Sequence, residues 1–186
     1  MVNEYTISIH KAPLSSSSDI KKMVYASLFA ALTAIGAYIT IPLGPIPFTL
    51  QVVFVLLAGG MLGSKWGSIS MVVYTLLGIA GLPVFSGGAS GIGVILGPTG
   101  GYIIGFTAAA FVVGFLFENK RTEKILINGL YVLAGSAVIY AFGLTHLMIV
   151  ADMSFIQAVT VGLLPFIGGA LVKVAVAAYI ATRYRI

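Results

Sequence analysis

Lys173 is the one charged residue set deep within an apolar run. It lies seven residues past Phe166 in a stretch that Pro165 opens. At a rise of ~1.5 Å per residue that places it about 10 Å along a helix. A bare ammonium at that depth in hydrocarbon costs roughly 2–3 kcal/mol or more. Two readings are open: the stem snorkels to the interface, or the ammonium faces a bundle interior and holds an anion. Gln51 is a second polar residue in an apolar run, about five residues in and so roughly 7 Å deep. A membrane glutamine is either glue between helices or a ligand contact. Two polar groups at one level, beneath a long Gly-rich stretch, together point to a pocket. Ser86, Ser90 and Thr99 add neutral hydrogen bonds to it, and Phe85, Tyr74 and Tyr102 add apolar walls. Each of these, taken singly, also reads as ordinary packing.

Other chemistries are missing. The Gly-rich segment 87–101, GGASGIGVILGPTGG, lacks the GK[ST] ending that cradles a nucleotide phosphate. No HExxH, no GxSxG and no paired membrane carboxylates occur. Asp152 is the only acidic residue after Glu123, which leaves no intramembrane acidic relay of the kind proton-driven transporters carry. There is no cysteine, and His10 and His146 lie too far apart in sequence to suggest a metal site. The chain reads as a binding protein and not an enzyme.

The elements that must position these residues follow from composition. Of 186 residues, 59% are hydrophobic and 8% charged, and the mean hydropathy is +1.09. A soluble globule of this size would still expose roughly 30% of its unfolded surface to water. A soluble enzyme, a disordered chain and a nucleic-acid module are therefore excluded. Residues 1–17 read as a polar tail, with Ser18-Asp19 as a helix N-cap signal. Residues 18–186 read as one all-α integral membrane domain. Six spans are expected, at about 20–41, 46–62, 66–82, 98–117, 126–149 and 165–183, each near the ~20 residues that cross a bilayer. In lipid the backbone satisfies its own hydrogen bonds, so these are helices and not strands.

With a cytoplasmic N-terminus, the inner segments hold Lys11, Lys21, Lys22, Lys65, Lys120, Arg121, Lys124, Arg183 and Arg185. The outer loops 42–46, 83–97 and 150–154 hold no basic residue. The positive-inside rule then puts both termini in the cytoplasm and supports an even number of spans. The net charge of +5 is accounted for by topology, without nucleic acid. Residues 150–164 read as a short helix on the outer face turned at Pro165, or else as part of one long helix kinked there. Ala26, Ala30 and Ala34, spaced by four and reinforced by Ser27, Ala31 and Ala37, form a small-residue ridge. Such a ridge lets another helix come close, either within the bundle or from a partner protein.

The stretch Gly81–Phe106, GLPVFSGGASGIGVILGPTGGYIIGF, resembles the signature of the BioY family, the biotin-specific substrate-binding (S) components of energy-coupling-factor (ECF) transporters. PFTLQ at 47–51 and LPFIGGALVK at 164–173 are similar to further segments of that family. The likeness covers residues 22–183. The GPTGGY block is its specific part and the Ala ridge its weak part. The resemblance implies a six-helix S component in the cell membrane with a biotin pocket open to the outside and no cofactor beyond the transported biotin. It implies a transmembrane coupling protein and two ATPase subunits as partners, with the Ala26, Ala30 and Ala34 ridge as the docking stripe. Where the family pattern near the last helix reads Gly-Asp-x-x-Lys, this chain has Ala170, while Lys173 matches. The ureido ring of biotin would then need other partners, such as Gln51 or Ser90, or the ligand differs. A stand-alone facilitator, an S component for another small anionic vitamin and an assembly protein without ligand are the competing readings. The ridge and the missing acidic relay favour a transporter subunit, and Lys173 with Gln51 disfavours a protein without ligand.

Overall fold

The structure, a computed structural model, describes residues 17–42 and 44–184. The expected polar tail therefore lies, apart from Ser17, outside the described residues. Helix α1 runs from Ser17 to Tyr38. It begins before Ser18, so Ser18 is not its cap. Asp19 stands in the first turn, where a carboxylate complements the helix dipole.

The chain then departs from the all-helical expectation. Thr40–Pro42 (β1) and Pro47–Thr49 (β2) pair antiparallel, with Ile41 opposite Phe48. This ribbon takes the last residues expected of the first span and the first of the second. Three prolines in 42–47 remove backbone donors that a helix would need. Helices α2 (Gln51–Ile79), α3 (Ile92–Leu96), α4 (Gly100–Lys120), α5 (Ile125–Val150), α6 (Phe155–Gly162) and α7 (Ile167–Arg183) follow. Five helices among the described residues are long and apolar enough to cross a membrane, the last counted from Phe155 to Arg183 through a bend.

Helix α2 is broken at Gly63, whose φ of 83° and ψ of −179° are not helical. A methyl on Gly67 would stand 2.9 Å from the Ala58 carbonyl oxygen and from Gly59 Cα. Nine residues apart in a straight helix lie about 13.5 Å apart along the axis. The two arms, 51–62 and 64–79, are therefore folded side by side. The Glu118 carboxylate holds the bend: one oxygen accepts the Ser64 N–H at 2.9 Å and the other accepts the Ser64 hydroxyl at 2.7 Å. The Ser64 N–H is an orphan backbone donor at the start of the second arm.

Both arms pack on α4, which also lies along α5, and α7 closes against α2 and α5. The core between them holds Val55, Leu56, Met71, Val113, Val132, Ile139 and Leu147. Residues 155–183 are not one kinked helix. α6 starts on a capping box, in which the Ser154 hydroxyl accepts the Gln157 N–H and the Gln157 side chain accepts the Ser154 N–H. A single tight turn, Leu164–Phe166, with Pro165 inside it, separates α6 from α7.

The small-residue ridge is corrected by packing. Ala26 and Ala30 are only 4% exposed, Ala34 is half-buried, and the Ser70 hydroxyl donates to the Ala26 carbonyl at 2.6 Å. The ridge thus faces the second arm of α2 and is no free stripe. Among the residues of α1 whose exposure is described, the small exposed ones are Ser27 and Ala31, one turn apart on the adjacent face. We expect Ala30→Trp to overpack the α1–α2 contact and cost about 1–3 kcal/mol or more, read as a lower melting midpoint in detergent. Ala31→Trp should melt within a degree or two of the parent.

Candidate functional site

The ribbon β1–β2 lies at one end of the bundle, where α1 ends and α2 begins. The N–H of Leu50 bonds back to the carbonyls of Gly36 and Ile39. The Gly-rich segment between α2 and α4 comes to the same end. Tyr38 donates to the Pro83 carbonyl at 2.6 Å, and the hydroxyls of Thr40 and Ser86 meet at 3.2 Å. Beneath the two lies a cavity of about 470 Å³ whose other walls come from α4, α5 and α7. That size is typical of small-molecule sites.

Six residues marked by the sequence line it: Lys173, Gln51, Ser86, Ser90, Thr99 and Tyr102. Phe85 and Tyr74, expected as walls, do not. Both are fully buried one layer behind, packed edge to face at 5.7 Å. Tyr74 acts through Gln51. Its hydroxyl donates to the Val84 carbonyl at 3.0 Å, so toward Gln51 it can only accept, and Gln51 Nε2 donates to it. Thr49 donates to Gln51 Oε1 at 2.9 Å. The glutamine is clamped from both sides. One amide N–H and one acceptor site remain for the cavity. Glue and ligand contact thus coexist in one side chain.

Tyr102 likewise offers the cavity its ring. Its hydroxyl donates to the Gly162 carbonyl at 2.9 Å, which ties α4 to the end of α6. The side-chain hydroxyls of Ser90 and Thr99 have no hydrogen-bond partner among the described residues, so they are available to a guest.

Lys173 is 7% exposed and lines the cavity; its stem does not run out to the bundle surface. No hydrogen bond or ion pair engages its ammonium among the described residues. Its Nζ sits 3.5 Å from the centroid of the Phe48 ring. A buried ammonium without a counter-ion is unfavourable until an anion completes it. Most of the remaining wall is apolar, with Phe48, Phe106, Tyr140 and Phe166 on it. Sequence reasoning missed these four as site residues. Phe166 was legible, since two helical turns before Lys173 is the same face. Phe48 was not, because only the ribbon brings it to α7.

Ala170 does not line this cavity. It lines a second, apolar cleft of about 380 Å³ between α5 and α7, together with Ser136 and Tyr140. Tyr140 is the wall between the two spaces.

Comparison with known proteins places this geometry. The BioY family model matches residues 9–186. The biotin transporter BioY of Thermotoga maritima is 45% identical over 168 residues, which is 89% of this chain and 96% of that protein. The chain belongs to the BioY family. A probable biotin transporter BioY of Pyrococcus horikoshii is 45% identical over 163 residues, 88% of this chain and 95% of the relative. Among solved structures, the S-component for biotin from an ECF-type ABC transporter matches with a TM-score of 0.85 at 28% identity. The match covers 91% of this chain and 93% of that one. Like its BioY relatives, the chain is a multi-pass membrane protein of transport and not an enzyme.

We expect Tyr102→Phe to leave the buried Gly162 carbonyl without its donor and to cost about 1–3 kcal/mol of stability. The check is thermal unfolding in detergent. An unchanged midpoint would show that the bond contributes nothing net.

Proposed function

We propose that this protein is the biotin-binding S component of an ECF-type transporter and takes biotin into the ribbon-end cavity from outside the cell. The observation that carries the reading is Lys173, a cation buried with no counter-ion among the described residues in a mostly apolar cavity of a BioY-family chain. Biotin has an apolar bicycle, a urea and a carboxylate. The aromatic walls suit the bicycle, the clamped Gln51 with Ser90 and Thr99 suits the urea, and Lys173 suits the carboxylate.

The chain crosses the membrane six times, the two arms of α2 each counting once, with both termini cytoplasmic. The distribution of charge supports this. α1 runs toward the ribbon, so Lys21 and Lys22 lie at the far end. Lys65 follows the bend at Gly63, which Glu118 of α4 holds. Arg121 reaches the carbonyls of Ala181 and Tyr184 at the end of α7. Apart from Lys173, the described basic residues thus gather at the end opposite the cavity, as the positive-inside rule requires of a cytoplasmic face.

The chain carries no nucleotide-binding motif, so uphill uptake needs a coupling protein and two ATPase subunits. Their docking stripe is the exposed face of α1 around Ser27 and Ala31, in place of the buried Ala26 and Ala30. Small residues there let a partner helix approach closely.

Two measurements test the reading. In calorimetric titration of the purified protein, Lys173→Ala should lose a charge-assisted hydrogen bond worth about 1.5–3 kcal/mol. That weakens biotin roughly 10- to 150-fold. Equal affinity would remove Lys173 from the site. Ala31→Trp should bind biotin normally and fail to co-purify with the coupling protein and ATPases. If that variant still assembles, the docking surface is elsewhere.

A further inference from the structure

Lys173 is held by an uncharged partner, and that partner comes from a different part of the chain. Phe48 belongs to β2 of the ribbon, yet its ring lies along α7. It stacks parallel on Phe166, with centroids 6.2 Å apart and planes 3° apart. It fills the space over Gly169, where any Cβ would collide with the ring. Its face meets the Lys173 ammonium. Phe166, Gly169 and Lys173 fall at i, i+3 and i+7, one stripe of a helix. Gly169 is the notch in that stripe that lets the ring in.

We propose that Phe48, seated in the Gly169 notch, is the positioning residue for Lys173 and thereby sets the preference of the site for an anionic over a neutral ligand. The inference rests on the reading that Lys173 meets the carboxylate of biotin. The physical reason lies in the kind of partner. A carboxylate beside Lys173 would neutralise it, and an incoming anion would have to compete with that carboxylate. A ring face attracts the ammonium through its quadrupole and leaves the full charge in place. It also restricts a stem with four rotatable bonds, so that an arriving carboxylate meets an ammonium already located. The same contact joins the ribbon to α7, so the cation is fixed only when the ribbon is seated.

The experiment titrates the full chain with biotin and with biotinamide, its uncharged primary amide. The parent should prefer biotin. Phe48→Leu removes a wall contact that both ligands share, so the readout is the ratio: the biotin-over-biotinamide preference should fall about 3- to 30-fold, the range of a cation–π contact from partly exposed to desolvated. Gly169→Ala should act in the same direction by lifting the ring. If Phe48→Leu weakens both ligands alike, or neither, Phe48 is only a wall and the proposal falls. If Phe48→Leu does not fold, pentafluorophenylalanine in place of Phe48 carries the same test, because it keeps the shape and reverses the quadrupole. An unchanged acid-over-amide preference would then overturn the proposal. Lys173→Met keeps the two readings apart. It should abolish the acid-over-amide preference, and if the preference survives there, it is the carboxylate role of Lys173 that fails.

Discussion

A lysine ammonium buried with no counter-ion among the described residues is the constraint around which this site is arranged. In an apolar surround such a charge is tolerated only beside polarisable or hydrogen-bonding groups, or in a space that an anion enters. Here the ring of Phe48 supplies the first and the cavity supplies the second. The ribbon must cross the bundle end to deliver Phe48, α7 must present a glycine where the ring lies, and Phe166 must back it. A short strand pair, a glycine and two aromatic rings thus share one purpose, although they lie more than a hundred residues apart in the chain.

Polar groups elsewhere near the cavity are consumed by the fold in an ordered way. Gln51 is gripped by Thr49 and Tyr74, and Tyr74 in turn by the Val84 carbonyl. Tyr102 gives its hydroxyl to Gly162. What is left to a guest includes one side of an amide, the hydroxyls of Ser90 and Thr99, and the ammonium. Few convergent polar groups in an apolar shell give orientation without a large desolvation cost. Committed hydroxyls also make the walls stiff, because a buried donor that has found its acceptor is costly to release.

Close helix packing gives the bundle its shape. Without a hydrophobic drive between helices inside a bilayer, contact between backbones and van der Waals packing hold the spans together. Gly67 against Ala58 and Gly59 lets the two arms of α2 lie together, and Gly63 with the Glu118 carboxylate makes the reversal possible. The same logic takes the alanines of α1 into the interior. A small residue is as useful inside the bundle as on a docking face, so spacing by four does not say which neighbour a ridge meets.

The sequence alone determined the class of the protein. Apolar runs of bilayer length, basic residues confined to alternate loops and the isolation of Lys173 and Gln51 are one-dimensional facts with direct physical consequences. So is the GPTGGY stretch that resembles the BioY family. The break in the chain between residues 62 and 66 was also legible, since a charged Lys65 follows Gly63-Ser64 and interrupts two apolar runs. Only the tertiary structure decided the rest. Prolines 42, 45 and 47 signal an interruption but not that it is a strand pair, because pairing depends on where α1 and α2 bring its two ends. Phe48 and Lys173 are 125 positions apart, and no periodicity links a strand to a helix across that distance. The burial of Ala26 and Ala30, and the exposure of Ser27 and Ala31, turned on a rotation of about 100° around α1. That rotation is set by the helix packed against α1, which the local sequence does not contain.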